Sequence, residues 1–325
     1  MLFYLIITVL FFGIMYAYFK IARHYNITDR PNERSSHSSV TIRGGGIIFL
    51  IAALVIAGLY YSQFAGIIFS ILIIGIISFL DDIYTLPRSF RLTFHFIAVT
   101  ILVIYFNIFP AYPLYAILLF YVLVTGIINA YNFMDGINGI TGLYSLIIFA
   151  SLQYINIKQL AFIPADVIWV PMLACVVFLF FNFRKKAVCF AGDVGSVTLA
   201  LWVVFILLSL SLKTHNWNYV LFLSVYGTDS VLTILHRFLR SENIFKPHRL
   251  HLYQLLANEQ KIPHLMVTCI YCFIQVAINI LIISTHLSFP VSFLLICIPL
   301  GLIYIVVKPR MMTAKKNSVL NKGSI

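Results

Sequence analysis

Charge is scarce in this sequence, and acid scarcer still. Its 325 residues hold 10 Asp and Glu against 22 Lys and Arg, and 62% of the chain is hydrophobic. A mean hydropathy of +0.99 excludes a water-soluble globule. The five cysteines are scattered, which excludes a disulfide framework. Cys269 and Cys272 have metal-binding spacing but lie in an apolar run without further ligands, so they read as core. No Gly-Lys-Ser/Thr follows the glycine run at 44–46, and no His-Glu-x-x-His is present; a P-loop and a zinc-protease helix are therefore both absent. No repeat is visible, nor a pair of interrupted apolar spans of the kind that marks an inverted-repeat transporter. The longest polar stretches, 20–43 and 237–263, are too short for a soluble domain.

What the sequence does have is apolar runs, at roughly 2–19, 44–60, 64–80, 92–109, 113–130, 139–156, 167–183, 195–212, 218–236, 264–285 and 289–307. Each is long enough to cross an apolar core about 30 Å thick. Backbone in lipid must satisfy its own hydrogen bonds, so the spans are expected to be helices. The expectation is one all-α polytopic domain over 1–325 with about eleven transmembrane helices and a basic tail at 308–325. The first run has no basic flank before it and no small-residue cleavage site, so it reads as an uncleaved span.

The loops carry a strong bias. Of the 22 Lys and Arg, 20 fall in alternate connections or the tail, leaving Lys158 and Lys213 opposite. The positive-inside rule then puts the N-terminus outside and the C-terminus in the cytoplasm. Eight of the ten acids share the basic side, Asp229 lies shallowly inside a span, and Asp166 is opposite. The net charge of +12 follows from this topology, so anionic lipid headgroups are the expected partners and nucleic acid is not.

Five polar segments on that side carry the chemistry. Asp81-Asp82 follows an apolar run; adjacent helical residues point about 100° apart, so one can face a cleft while the other caps or orients it. Asn129, Asn132 and Asp135 recur every third residue along one side of a helix end, before Gly136. Asp193 and Ser196 stand at a helix start, where free N–H groups can meet an anion, and Phe190 offers a flat face for a base. His248-Arg249-Leu-His251 suits phosphate oxygens better than zinc. Arg34, His37 and Arg43 add cations from the first inner loop, where the Gly44–Gly46 run reads as a helix start that permits close packing. With no nucleophilic Ser or Cys motif, the set favours metal-assisted phosphoryl transfer. Asp229, with Thr233 and Arg237 at i+4 and i+8, reads equally well as a structural ion pair.

In these five motifs the chain resembles the polyprenyl-phosphate N-acetylhexosamine-1-phosphate transferases. The matching residues are Asp29-x-Pro31-Asn32-x-Arg34-x-x-His37 with Arg43-Gly-Gly-Gly, Phe79-Leu-Asp81-Asp82, Asn129-x-x-Asn132-x-x-Asp135-Gly, Phe190-x-Gly192-Asp193-x-Gly195-Ser196 and His248-Arg-x-His251-x-Tyr253-Gln254. The resemblance implies a bacterial cytoplasmic-membrane enzyme with its site on the cytoplasmic face. It would transfer a sugar 1-phosphate from a UDP-sugar to undecaprenyl phosphate and release UMP, using Mg²⁺ or alternatively Mn²⁺. It also implies Asp193 as the metal ligand, Asp81 and Asp82 at the lipid phosphate, and Asn132 and Asp135 at the nucleotide–metal region. Phe190 would stack on uracil, Asn182 would lie near the nucleotide, and His248, Arg249 and His251 would hold the sugar-nucleotide end. A homodimer is a further expectation. Asn138 stands where many members have a second acid, and Arg249 and Leu250 separate the two histidines, as in the O-antigen and capsule-initiating branch. A transporter is the rival class.

Overall fold

The computed structural model describes residues 1–29, 40–243 and 248–320, with 312–320 described by backbone alone. Among them the long helices are α1 (Leu2–His24), α2 (Ile47–Tyr84), α3 (Arg88–Tyr105), α5 (Leu114–Met134), α6 (Ile140–Lys158), α7 (Asp166–Asn182), α8 (Gly192–Thr214), α9 (Ser224–Leu239), α11 (His264–Ser284) and α12 (Phe289–Leu320). Short turns α4 (Ile108–Ala111) and α10 (Leu252–Gln254) intervene, and β1 (Thr28–Asp29) pairs antiparallel with β2 (Thr41–Ile42). This is an all-α polytopic membrane protein.

Nine helical stretches among the described residues are long and apolar enough to cross a membrane. The expected runs at 44–60 and 64–80 both fall in α2, and that at 167–183 becomes the shorter α7. A straight helix of 38 residues would be about 57 Å long, yet Leu50 packs against Gly75. The chain therefore doubles back where Tyr60 and Phe64 leave helical geometry. Proline sets other boundaries: Pro87, Pro113 and Pro263 stand in extended conformation immediately before α3, α5 and α11, where a missing N–H costs nothing.

The fold-back brings both ends of α2 to the start of α8, the helix most enclosed by the others. There Gly46 lies against Gly195 so closely that a Cβ on Gly46 would overlap Gly195 Cα. The Gly44–Gly46 run is thus a packing device, as its composition suggests. At the other end of the bundle, Tyr4 of α1 and Tyr60 of α2 each donate to Asp166 at 2.6 Å. The acid that stood apart in the sequence stands apart in space.

Candidate active site

A cavity of about 370 Å³ opens where the end of α2, the starts of α3 and α8, the end of α5 and the segment 248–254 converge. Of the residues singled out by sequence, Asn129, Asn132, Asp135, Asp193, His248 and His251 line it. Arg43, Asp81, Asp82, Asn182, Phe190 and Arg249 do not form its wall. Arg34 and His37 lie outside the described residues.

The two adjacent aspartates divide their work. Asp82, with its side chain wholly buried, accepts from Arg43 Nε at 2.8 Å and from the backbone N–H groups of Asp193 (2.9 Å) and Val194 (3.1 Å). It is therefore the anion at the N-terminus of α8, and those N–H groups are not free for a ligand. Asp81 turns the other way. It accepts from Leu86 N–H and from Arg91 Nη1, each at 2.6 Å.

Arg91 is the group that sequence reasoning missed. Its Nη1 also donates to Asp193 Oδ2 at 2.9 Å, joining Asp81 to the cavity wall. A signal for it exists: Arg88 and Arg91 occupy the first turn of α3, which has no acid. Cations at a helix N-terminus oppose its dipole, so they need an anionic partner from elsewhere. Both line the cavity, with His95 one turn on.

Two amides lie outside the cavity wall and are engaged with backbone. Asn138 Nδ2 donates to Arg184 O at 2.7 Å. Asn182 accepts from Gly139 N–H at 2.6 Å and donates to Cys189 O at 2.7 Å. They tie the start of α6 to the loop before α8. Asn129 Nδ2 donates to Thr125 O within its own helix.

Burial pushes the Asp135 carboxyl up to about 7. Burial and neighbouring cations push His248 down to about 4, so it is neutral at neutral pH. The Asp135 shift carries a stability prediction. Its proton is held more tightly in the folded state than in the unfolded chain, where an Asp titrates near 3.9. Burial of this carboxyl therefore destabilises the fold progressively as pH rises from about 4 to about 7. Asp135→Asn is expected to raise the melting temperature above about pH 8 and to leave it nearly unchanged near pH 4. An equal gain at both pH values would show that the carboxyl does not titrate in this window.

Among the described residues no three His, Cys, Asp or Glu side chains form a ready-made metal cage. The oxygens that are present nonetheless fit Mg²⁺, which takes one or two carboxylates and fills its remaining positions with substrate phosphate and water. Asp193 presents a part-exposed carboxylate beside Asp81, with Arg91 Nη1 between the two.

Comparisons with known proteins place the chain in a family. Residues 64–211 match the family described as glycosyl transferase family 4. The phospho-N-acetylmuramoyl-pentapeptide-transferase of Fervidobacterium nodosum is 30% identical over 231 residues, 65% of this chain and 72% of that protein. The chain belongs to glycosyl transferase family 4. Other similar proteins carry a different sugar in their names. A probable undecaprenyl-phosphate N-acetylglucosaminyl 1-phosphate transferase of Bacillus subtilis is 25% identical over 261 residues, 73% of this chain and 71% of the relative. The undecaprenyl-phosphate alpha-N-acetylglucosaminyl 1-phosphate transferase of Escherichia coli O157:H7 is 25% identical over 283 residues, 77% and 75% of the two chains. This member of glycosyl transferase family 4 is thus a transferase embedded in the membrane, and the cavity at its helix ends is the candidate site.

Proposed function

We propose that the chain transfers an N-acetylhexosamine 1-phosphate from a UDP-sugar to a polyprenyl phosphate at the cytoplasmic face of the bacterial inner membrane, initiating an envelope polysaccharide such as O-antigen or capsule. The observation that carries this reading is the cavity itself. Arg88, Arg91, His248 and His251 line it together with Asp193 and Asp135, at the ends of apolar helices. Such a wall suits a diphosphate and a metal ion, beside a bilayer that can hold a prenyl chain.

In the reaction, an oxygen of the lipid phosphate attacks the phosphorus that carries the sugar. The bond from that phosphorus to the bridging oxygen breaks, and the oxygen leaves with UMP. The arginines hold phosphate oxygens and offset their charge, which is most of what such a transfer requires. The attacking phosphate is largely ionised near neutral pH, so the site needs little from a base. Mg²⁺, held by Asp193 with support from Asp81, would neutralise charge on the diphosphate. Asn132 and Asp135 line the nucleotide side. Neutral His248 offers hydrogen bonds there without adding charge.

The transporter reading loses its central residue. Asp229 is buried, and its carboxylate accepts from Thr233, Leu252, Tyr253 and Tyr271. It has no open side for a cargo.

The test is UMP release by purified protein given Mg²⁺, undecaprenyl phosphate and a panel of UDP-N-acetyl sugars. Release that needs both metal and lipid supports the reading, and the best sugar names the substrate. No release with any sugar, from folded protein, would overturn it. Arg249→Ala is expected to raise the apparent KM for the UDP-sugar more than that for the lipid; the opposite split would move Arg249 to the lipid side.

A further inference from the structure

Helix spacing offers Asp229 two partners, Thr233 at i+4 and Arg237 at i+8. The structure keeps the first and replaces the second. Arg237 turns to Glu242 (3.1 Å) and to Asn243 O (2.6 Å). Asp229 instead faces the cavity segment: Leu252 N–H donates to its Oδ1 at 2.9 Å, and His251 Nδ1 stands 3.5 Å from the same oxygen. His251 is 2% exposed and lines the cavity, and neither ring nitrogen completes a hydrogen bond among the described residues: Nδ1 has the Asp229 carboxylate at 3.5 Å, and Nε2 has no partner. A buried ring nitrogen without a partner is costly unless a ligand supplies one.

Behind Asp229 the contacts continue into the C-terminal helix. Thr233 Oγ1 donates to Asp229 Oδ1 at 3.2 Å. The same hydroxyl lies 2.7 Å from Tyr304 OH and receives Lys308 Nζ at 3.2 Å. Lys308, itself 2% exposed, also donates to Tyr304 OH. The direction of every bond in this chain is fixed by its ends. An ammonium can only donate and a carboxylate can only accept. Tyr304 must therefore donate to Thr233, and Thr233 to Asp229. Each hydroxyl has a single proton, so none is left to point elsewhere.

We propose that Asp229 is a positioning residue for His251, itself held by the C-terminal helix through Lys308, Tyr304 and Thr233, so that Nδ1 carries the proton toward the carboxylate and Nε2 presents its lone pair to a hydrogen-bond donor in the cavity, such as a sugar hydroxyl. A histidine with a carboxylate at one nitrogen is fixed in tautomer and orientation at the other. The role of His251 in turnover rests on the transferase reading; the orientation of its ring does not.

Two measurements separate these. The first is the ¹⁵N spectrum of histidine-labelled full-length protein in lipid at mildly alkaline pH, with the His251 signals assigned by their loss in His251→Gln. The expected result is a protonated Nδ1 in the wild type, with the preference lost in Asp229→Asn and weakened in Thr233→Val but not in Thr233→Ser. A protonated Nε2 in the wild type, or a spectrum untouched by Asp229→Asn, would overturn the proposal whether or not the protein shows transferase activity.

The second is turnover. Asp229→Asn is expected to lower kcat about ten- to hundredfold with a smaller change in KM. Thr233→Val should lower it about fivefold, and Thr233→Ser should restore it. In a His251→Ala background the further loss from Asp229→Asn should shrink to under about twofold. Full additivity of the two losses would show that Asp229 acts on the fold rather than through His251.

Discussion

Asp193→Asn is expected to lower turnover about a thousandfold, the scale on which removing a single charge-stabilising group acts, while leaving the protein folded. The physical case rests on how the residue is held. Its backbone N–H serves the fold by donating to Asp82. Its side chain does not: it meets Arg91 Nη1 at 2.9 Å and Arg43 Nη2 at 3.9 Å on the cavity wall. Asn keeps the volume and one acceptor for Arg91, so packing should survive. It lacks the negative charge that a hard divalent cation requires. Expression, gel-filtration behaviour and melting temperature should match the wild type, and UMP release should not. Turnover above about a tenth of wild type would remove Asp193 from the metal role. Asp193→Glu should recover little, because the longer arm shifts the carboxylate while the helix start stays pinned by Asp82.

The sequence made the helices and the face that holds the chemistry legible for one reason: lipid leaves the backbone no other choice and leaves charge few places to go. The split between Asp81 and Asp82 was readable from helix geometry alone, although not which residue would take which part. Partners set by distant chain were not readable. Spacing found Thr233 for Asp229, because i+4 neighbours meet on a helix. It could not find His251, whose position depends on the path of the chain between α9 and α10. The resemblance puts Asn182 near the nucleotide, and Asn138 stands where many members have a second acid; neither spacing nor resemblance shows that both amides hold backbone groups, at the start of α6 and in the loop before α8. Arg91 carries a signal only as a cation at a helix N-terminus without an acid in the same turn, and no motif surrounds it.

The sharpest consequence of this geometry is that neighbouring aspartates should fail in different ways. Asp82 has no exposed side-chain surface, and its two oxygens serve Arg43 and two N–H groups of α8. In Asp82→Asn one acceptor becomes a donor, set against groups that are themselves donors. Removing one partner of a buried ion pair costs about 3–5 kcal/mol, here concentrated where α2 and α8 touch at Gly46 and Gly195. The variant should melt well below the wild type. Cys189, buried beside Gly45, should become reactive toward a membrane-permeant maleimide under conditions where the wild type is not. Asp81 carries no such duty, since its partners are Arg91 and one loop N–H. Asp81→Asn should therefore lose turnover while melting closer to the wild type than Asp82→Asn, because Arg91 keeps Asp193 as a partner, and while keeping Cys189 protected. If Asp82→Asn proved as stable as Asp81→Asn, with Cys189 protected in both, Asp82 would not be the anchor of the α8 start, and its carboxylate would have to be free to act in the cavity instead.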